Sequence, residues 1–346
     1  MKKIALTSAI ILASISVAQA APTVYGKALL TAEYTDFNDK TAANKDTTTT
    51  KLVSNSSRIG LKGSEGLTAN TDLVYQLEYG VDVDSDSNGK GQFYSRNTYL
   101  GVTNKQYGTL LAGRHDTPFK LTKGSVDVFN DYDNVGLSNV MAGETRANNV
   151  IAYKSPKLST LPVTFMVATS LSESDNVARK VIGKKANGTP ILSELNPNHS
   201  GQSASAVYDE NGVYLAAGYD NDVGVEDQAW RIAGSVDMGK MNMVNGLTLG
   251  ALYQNADIFD AKDDEKSWLI SGKYKIASTP WAVKAQYIDT KNKGGVKDKD
   301  MTEVALGGEY TFNSNTKGHI YAAQIDTKNV AKSDKTIVGA GLEYKF

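Results

Sequence analysis

"SSRIGLKG", residues 56–63, sets Arg58, Gly60 and Lys62 against Ile59 and Leu61 in strict alternation. An extended strand sends successive side chains to opposite faces. This one therefore has a greasy face and a basic face. A soluble sheet would turn the basic face to bulk water and bury the greasy one in a core, yet no obvious core partner exists elsewhere in the chain. The same alternation recurs. In "VYGKALLTAEY" (24–34), Ala28, Leu30, Ala32 and Tyr34 share one face, and Lys27, Leu29, Thr31 and Glu33 the other. In "TIVGAGLEYKF" (336–346), Val338, Ala340, Leu342, Tyr344 and Phe346 share a face opposite Ile337, Gly339, Gly341, Glu343 and Lys345. These faces are heavy in Ala, Gly and Tyr, which fits a soluble sandwich or propeller core poorly.

Such runs number about sixteen, from 23–36 and 51–62 through 92–103, 107–114 and 147–155 to 334–346. Tight turns, such as "NG" at 211–212 and "NSNT", alternate with longer polar connections at 37–50, 85–91, 115–146 and 172–200. Asn-Gly is the strongest two-residue hairpin signal. The alternation puts all long loops at one end of the sheet and all tight turns at the other. With one apolar face per strand, the pattern predicts an all-β fold: a transmembrane antiparallel β-barrel whose apolar face meets lipid and whose polar face meets a watery lumen. Closure also removes exposed strand edges.

Composition agrees. The 346 residues include no Cys, so no disulfide framework, zinc knuckle or thiol nucleophile exists. Lys plus Arg total 37 against 38 Asp plus Glu, which gives no basic field for nucleic acid. Residues 1–20 read as a cleaved signal peptide: "MKK", an apolar run at 4–15, and Ala18 and Ala20 before a cut. The barrel domain is then 21–346.

The chain resembles the general porins of Gram-negative outer membranes, which are trimeric sixteen-stranded barrels. The resemblance is carried by "VYGKALLTAEY", "SRIGLKGSEGL", "FYSRNTYLGVTNKQYGTLLAGRHDTPF", "RANNVIAYKSP" and a terminal "LEYKF", in that order. It implies that the connection 115–146 folds into the barrel as a constriction loop. It also implies that Lys27, Arg58, Arg96 and Arg146 form the basic wall facing that loop, with Arg114 a second-row cation or a brace at its root. Asp127, Asp131 and Asp133 are the expected acidic side. Tyr344 and Phe346 match the outer-membrane assembly signal. Strand phase alone agrees for Lys27, Arg58 and Arg146. Arg96 falls on the face of Leu100 and does not fit cleanly.

Other chemistry is weakly signalled. "DSDSNGKGQFYS" (84–95) begins with calcium-loop spacing but ends in Ser95 where a bidentate Glu belongs. His115-Asp116 has no paired serine and no Gly-x-Ser-x-Gly motif beside it. The expectation is a non-enzymatic, passive outer-membrane diffusion channel for ions and small hydrophilic solutes. It would be a homotrimer with outer-membrane lipid as its surroundings and without cofactor or metal. The alternative is a barrel acting as adhesin or receptor through its surface loops. Conductance measurements separate the two.

Overall fold

The computed structural model describes residues 21–41, 46–84, 92–158, 161–171, 179–184, 190–194, 200–223, 228–258, 261–330 and 332–346. The expected leader, most of the calcium-like loop and His199 lie outside these residues. Seventeen strand segments form one sheet of antiparallel neighbours. The first, Thr23–Asp39, pairs with the last, Ser333–Lys345, placing Leu30 opposite Leu342 and closing the barrel.

The expected second strand is interrupted. Thr47–Ser54 and Arg58–Thr68 both pair with Thr23–Asp39 and are separated by Asn55, Ser56 and Ser57, with Ser56 at φ +47°. The Leu29 N–H donates to the Ser57 hydroxyl at 3.0 Å, and the Asn55 N–H to the Leu29 carbonyl at 2.8 Å. Short polar side chains thus replace ladder bonds across the break. Counted as one strand, the two segments make this a sixteen-stranded barrel. At 211–212 both central residues have positive φ, +52° and +85°, as a two-residue hairpin of the expected kind requires. The connection 172–200, read as a loop, carries a separate hairpin, Arg179–Lys184 with Pro190–Glu194.

The two faces sort as the alternation demands. Val24, Tyr34, Val338, Leu342 and Tyr344 are exposed on the outside, while Leu29, Thr31, Glu33 and Ile337 are buried inside. An outer wall this apolar suits hydrocarbon and not water. The C-terminus seals the seam. The Gly26 N–H donates to the Phe346 carbonyl at 2.9 Å, and the Phe346 N–H to the Gly26 carbonyl at 3.1 Å. The Phe346 ring lies over Gly26, where a Cβ would meet it at 2.2 Å. Deleting Phe346 removes both bonds and the ring. Outer-membrane levels of folded protein, followed by heat-modifiable gel mobility, are expected to fall several-fold; unchanged levels would remove Phe346 from assembly.

The buried apolar clusters lie inside the barrel. After the strand Gly108–Asp116 the chain turns inward and returns at Arg146–Lys154. Between them Val126, Leu137, Val140 and Met141 pack on Ala233, Leu252, Leu269 and Ile288. Phe129, Tyr132 and Val135 pack on Ala305, Tyr321, Ala323, Ile325 and Ile337. The infolded loop is therefore a hydrophobic plug lining one side of the lumen.

Candidate constriction site

Two β-bulges aim the basic wall. Along Phe93–Asn104, Thr98 opposes Leu77 but Ser95 opposes Tyr79, so Arg96 and Asn97 together oppose Glu78. One extra residue reverses the strand phase. Arg96 thus leaves the face of lipid-exposed Leu100 and reaches the lumen. In Arg146–Lys154, Val150 opposes Gly113 and Ala147 opposes His115, leaving Asn148 and Asn149 opposite Arg114. Asn149 takes φ +54° there. Beyond this second bulge Arg146 pairs with Asp116.

The resulting wall is a ladder of alternating charge. The Arg96 Nε donates to Glu78 at 2.8 Å, and Glu78 also lies 3.7 Å from the Arg58 Nε. Arg146 reaches Asp116 at 3.1 Å, and Lys120 reaches the same carboxylate at 2.9 Å. Asn97 braces the second rung, donating to Asp116 at 2.9 Å and accepting from the Arg146 Nε at 2.8 Å. Across from this wall, Asp131 on the loop meets Lys27 at 2.7 Å and approaches Arg58 at 4.0 Å. A cavity of about 650 Å³ lies between, lined by Arg58, Arg96, Lys120, Arg146, Asp131 and Asp133 among others.

The loop is fixed by its own polar groups as well as its apolar ones. Thr117 caps a short helical turn, Pro118–Leu121, by accepting from the Lys120 N–H at 3.1 Å. Asp127 accepts from the N–H groups of Phe129 and Leu137, each at 3.1 Å, and from Gln286 at 3.0 Å. Glu303 on the wall accepts the Gly136 N–H at 2.9 Å. Gly136 adopts φ +107°, a value that favours glycine. The fully buried Arg231 holds Glu144 at 2.9 Å and stacks on Phe119.

The expected site residues fall in different places. Arg58, Arg96, Arg146, Asp131 and Asp133 line the cavity, and buried Lys27 backs Asp131. Arg114 does not line it. It shares a ladder face with Ala112 and Leu100, and it donates to the Ser95 carbonyl and the Asn148 side chain. Asp127 is buried in the loop's own bonding. Glu78 and Lys120 were not picked out in the sequence. Glu78 carried a readable signal, since it lies inward of its exposed neighbours Leu77 and Tyr79. Lys120 carried none.

Burial works to raise the Asp131 carboxyl, but Lys27 and then Arg58 outweigh it and hold it below the usual carboxylate range. Asp133 reaches lumen water, yet the surrounding loop and wall, together with Glu33 and Asp82, push it up to about 6.

A family described as Gram-negative porin matches residues 5–330. An outer membrane porin protein of Bordetella pertussis is 25% identical, over 100% of both chains. The major outer membrane protein P.IB of Neisseria meningitidis is 26% identical, also over 100% of both. Among solved structures, an anion-selective porin from Comamonas acidovorans superposes with a TM-score of 0.74 at 16% identity, covering 94% of this chain and 99% of that one. The trimer form of OmpT from Vibrio cholerae gives 0.62 at 18% identity, covering 94% and 100%.

Proposed function

We propose, for a chain that belongs to the Gram-negative porin family and is a passive outer-membrane channel, that its constriction is the gap between the Arg58–Glu78–Arg96–Asp116–Arg146 ladder and the loop carboxylates Asp131 and Asp133. The observation that carries this reading is Asp131, held by Lys27 and next to Arg58, at the edge of a cavity that Arg96 and Arg146 also line. Opposed charges in a narrow opening with low-dielectric walls make a transverse field, in which hydrated polar solutes align and apolar ones must displace ordered water. The wall carboxylates offset much of the guanidinium charge, so ion preference rests on small imbalances. Single-channel recording of purified protein tests the reading. It should show stable open conductance without any triggering ligand; a sealed bilayer at every protein concentration would end it.

The polar patch on the outer wall and the trimer form of the Vibrio cholerae OmpT structure support a homotrimer as the assembly. Arg114, Asn148, Ser95 and Thr98 form a polar patch on a face otherwise carrying Leu100 and Ile151. Hydrocarbon penalises such groups by several kcal/mol when they are unmet. A neighbouring subunit covering the patch removes that penalty. Conductance should accordingly appear in threefold steps.

The raised Asp133 carboxyl gives a pH prediction. Above about pH 6 it is ionised, and on acidification it gains a proton while Asp131 stays charged. Between pH 7.5 and 5 the loop loses negative charge, so the reversal potential in a salt gradient moves toward anion preference. Asp133→Asn should abolish the step. A step of equal size in that variant would assign the titration elsewhere.

A further inference from the structure

A second recess lies on the other side of the loop segment that walls the constriction. Its volume is about 300 Å³, and it shares Gly124, Asn130, Asp131 and Tyr132 with the first cavity. It opens toward the tight-turn end: Lys273 stands near the end of Glu265–Lys275, Lys284 near the start of Trp281–Lys291, Lys317 at the start of Thr316–Asn329, and Lys345 at the C-terminus. In a barrel of this kind, tight turns mark the periplasmic side.

We propose that this recess is a second solute subsite, which holds a small dianionic oxyanion such as a phosphomonoester, sulfate or dicarboxylate on the periplasmic side of the constriction. Four ammonium groups line it. Three of them share a single carboxylate, Glu309, at 2.6 Å from Lys273, 3.3 Å from Lys284 and 3.6 Å from Lys317. Lys345 lies 3.1 Å from Glu343. Asp131 is taken up by Lys27, and Asp127 spends its oxygens on the loop backbone and Gln286. With Lys27 counted beside its partner Asp131, five ammonium groups meet the four carboxylates Asp127, Asp131, Glu309 and Glu343, an excess of one positive charge. One carboxylate also cannot satisfy three ammonium groups carrying three donors each.

The buried Lys284 is fixed, donating to the Val128 carbonyl at 2.9 Å and lying over the rings of Phe129 and Tyr132. Lys273, Lys317 and Lys345 are partly exposed, so their heads can swing onto a ligand from water. His319 adds a donor. Its Nδ1 shares a hydrogen bond with the Tyr132 hydroxyl at 3.0 Å, and its buried Nε2 has no hydrogen-bond partner among the described residues. When the tyrosine donates to Nδ1, Nε2 carries the hydrogen and offers it to an anion.

The proposal rests on the channel reading, and the test keeps the two apart. Sodium sulfate is added from the periplasmic side of trimers in planar bilayers, against sodium chloride of equal ionic strength. Sulfate should reduce the current in a saturable way. Lys273→Gln with Lys317→Gln should raise the half-blocking concentration about tenfold, which corresponds to ~1.4 kcal/mol. Lys273→Arg with Lys317→Arg should keep the block. Glu309→Gln, which removes the competing carboxylate, should tighten it. If the Gln pair does not assemble, Lys317→Gln with Lys345→Gln carries the same expectation at more exposed positions. Three results would overturn the subsite: no saturable block in wild type, a block indifferent to the lysines, or a block lost only in Arg58→Ala with Arg96→Ala. Absence of any conductance would instead strike the channel reading.

Discussion

Arg58→Ala combined with Arg96→Ala shifts the channel strongly toward cations and admits larger solutes. Both guanidinium groups line the constriction, and both lean on Glu78. Their removal takes away two positive charges and leaves the Glu78 carboxylate facing the lumen without them. Two unit charges 4 Å apart interact by ~1 kcal/mol in water and by ~4 kcal/mol at an effective dielectric of 20. Even ~1 kcal/mol on a passing ion changes its local population about fivefold. The reversal potential should therefore move toward cation preference by an amount that shrinks at 1 M salt, where the screening length is ~3 Å. Uptake of larger neutral solutes should rise, because two long side chains leave the narrowest section. Glu78→Gln supplies the opposite sign: it frees both arginines and should move selectivity toward anions. Wild-type values of conductance, solute cutoff and reversal potential in well-folded variants would place the constriction elsewhere.

Phe129→Ala combined with Tyr132→Ala unseats the loop while leaving the barrel standing. Both rings are buried inside the lumen, against Ala305, Tyr321 and Ile337, and Lys284 lies 4.5 Å and 4.6 Å from their centroids. Truncating a buried Phe costs ~3–5 kcal/mol. Most of that cost falls on one loop here, since the rings contribute nothing to the strand ladders. What remains, the Val126, Leu137, Val140 and Met141 cluster with the Asp127, Glu303 and Arg231 bonds, holds the flanks of the loop, so the loosening centres on the segment around Phe129 and Tyr132. The expected result is higher and noisier single-channel current, several-fold faster passage of larger solutes, and unchanged heat-modifiable mobility. Tyr132→Phe keeps the ring and loses only the hydroxyl's bonds to His319 and Lys284, so its current should stay close to wild type. Quiet, wild-type current in the double variant would show that the rings do not hold the loop.

The barrel was legible because its signal is local. Period-two alternation follows from the geometry of a single strand, and a lipid-facing wall must be apolar at every second position whatever the partner strand. "VYGKALLTAEY" and "TIVGAGLEYKF" therefore revealed their faces before pairing was known, and Leu30 opposite Leu342 follows the same phase. The turn at 211–212 was legible for the same reason: positive φ at both positions is a property of Asn and Gly themselves. The constriction was only partly legible, because its geometry depends on pairing between distant residues. No local pattern shows that Arg96 and Asn97 oppose Glu78, or that Asn148 and Asn149 oppose Arg114. Yet these two bulges decide which charges enter the lumen. The inward leucines and isoleucines 252, 269, 288 and 337 likewise look like lapses in a polar face until the loop is packed on them. Alternation and loop lengths alone pointed to a closed, lipid-facing barrel, whereas the inward loop was implied only by the resemblance to general porins. Only the closed sheet set Glu78 and Asp116 against the basic wall, put Arg114 on the face of Ala112 and Leu100, and spent the Asp127 oxygens on loop N–H groups and Gln286. The physical reason is that alternation is fixed by each residue's own backbone, whereas charge pairing and bulge phase are fixed by whichever strand the closed sheet brings alongside.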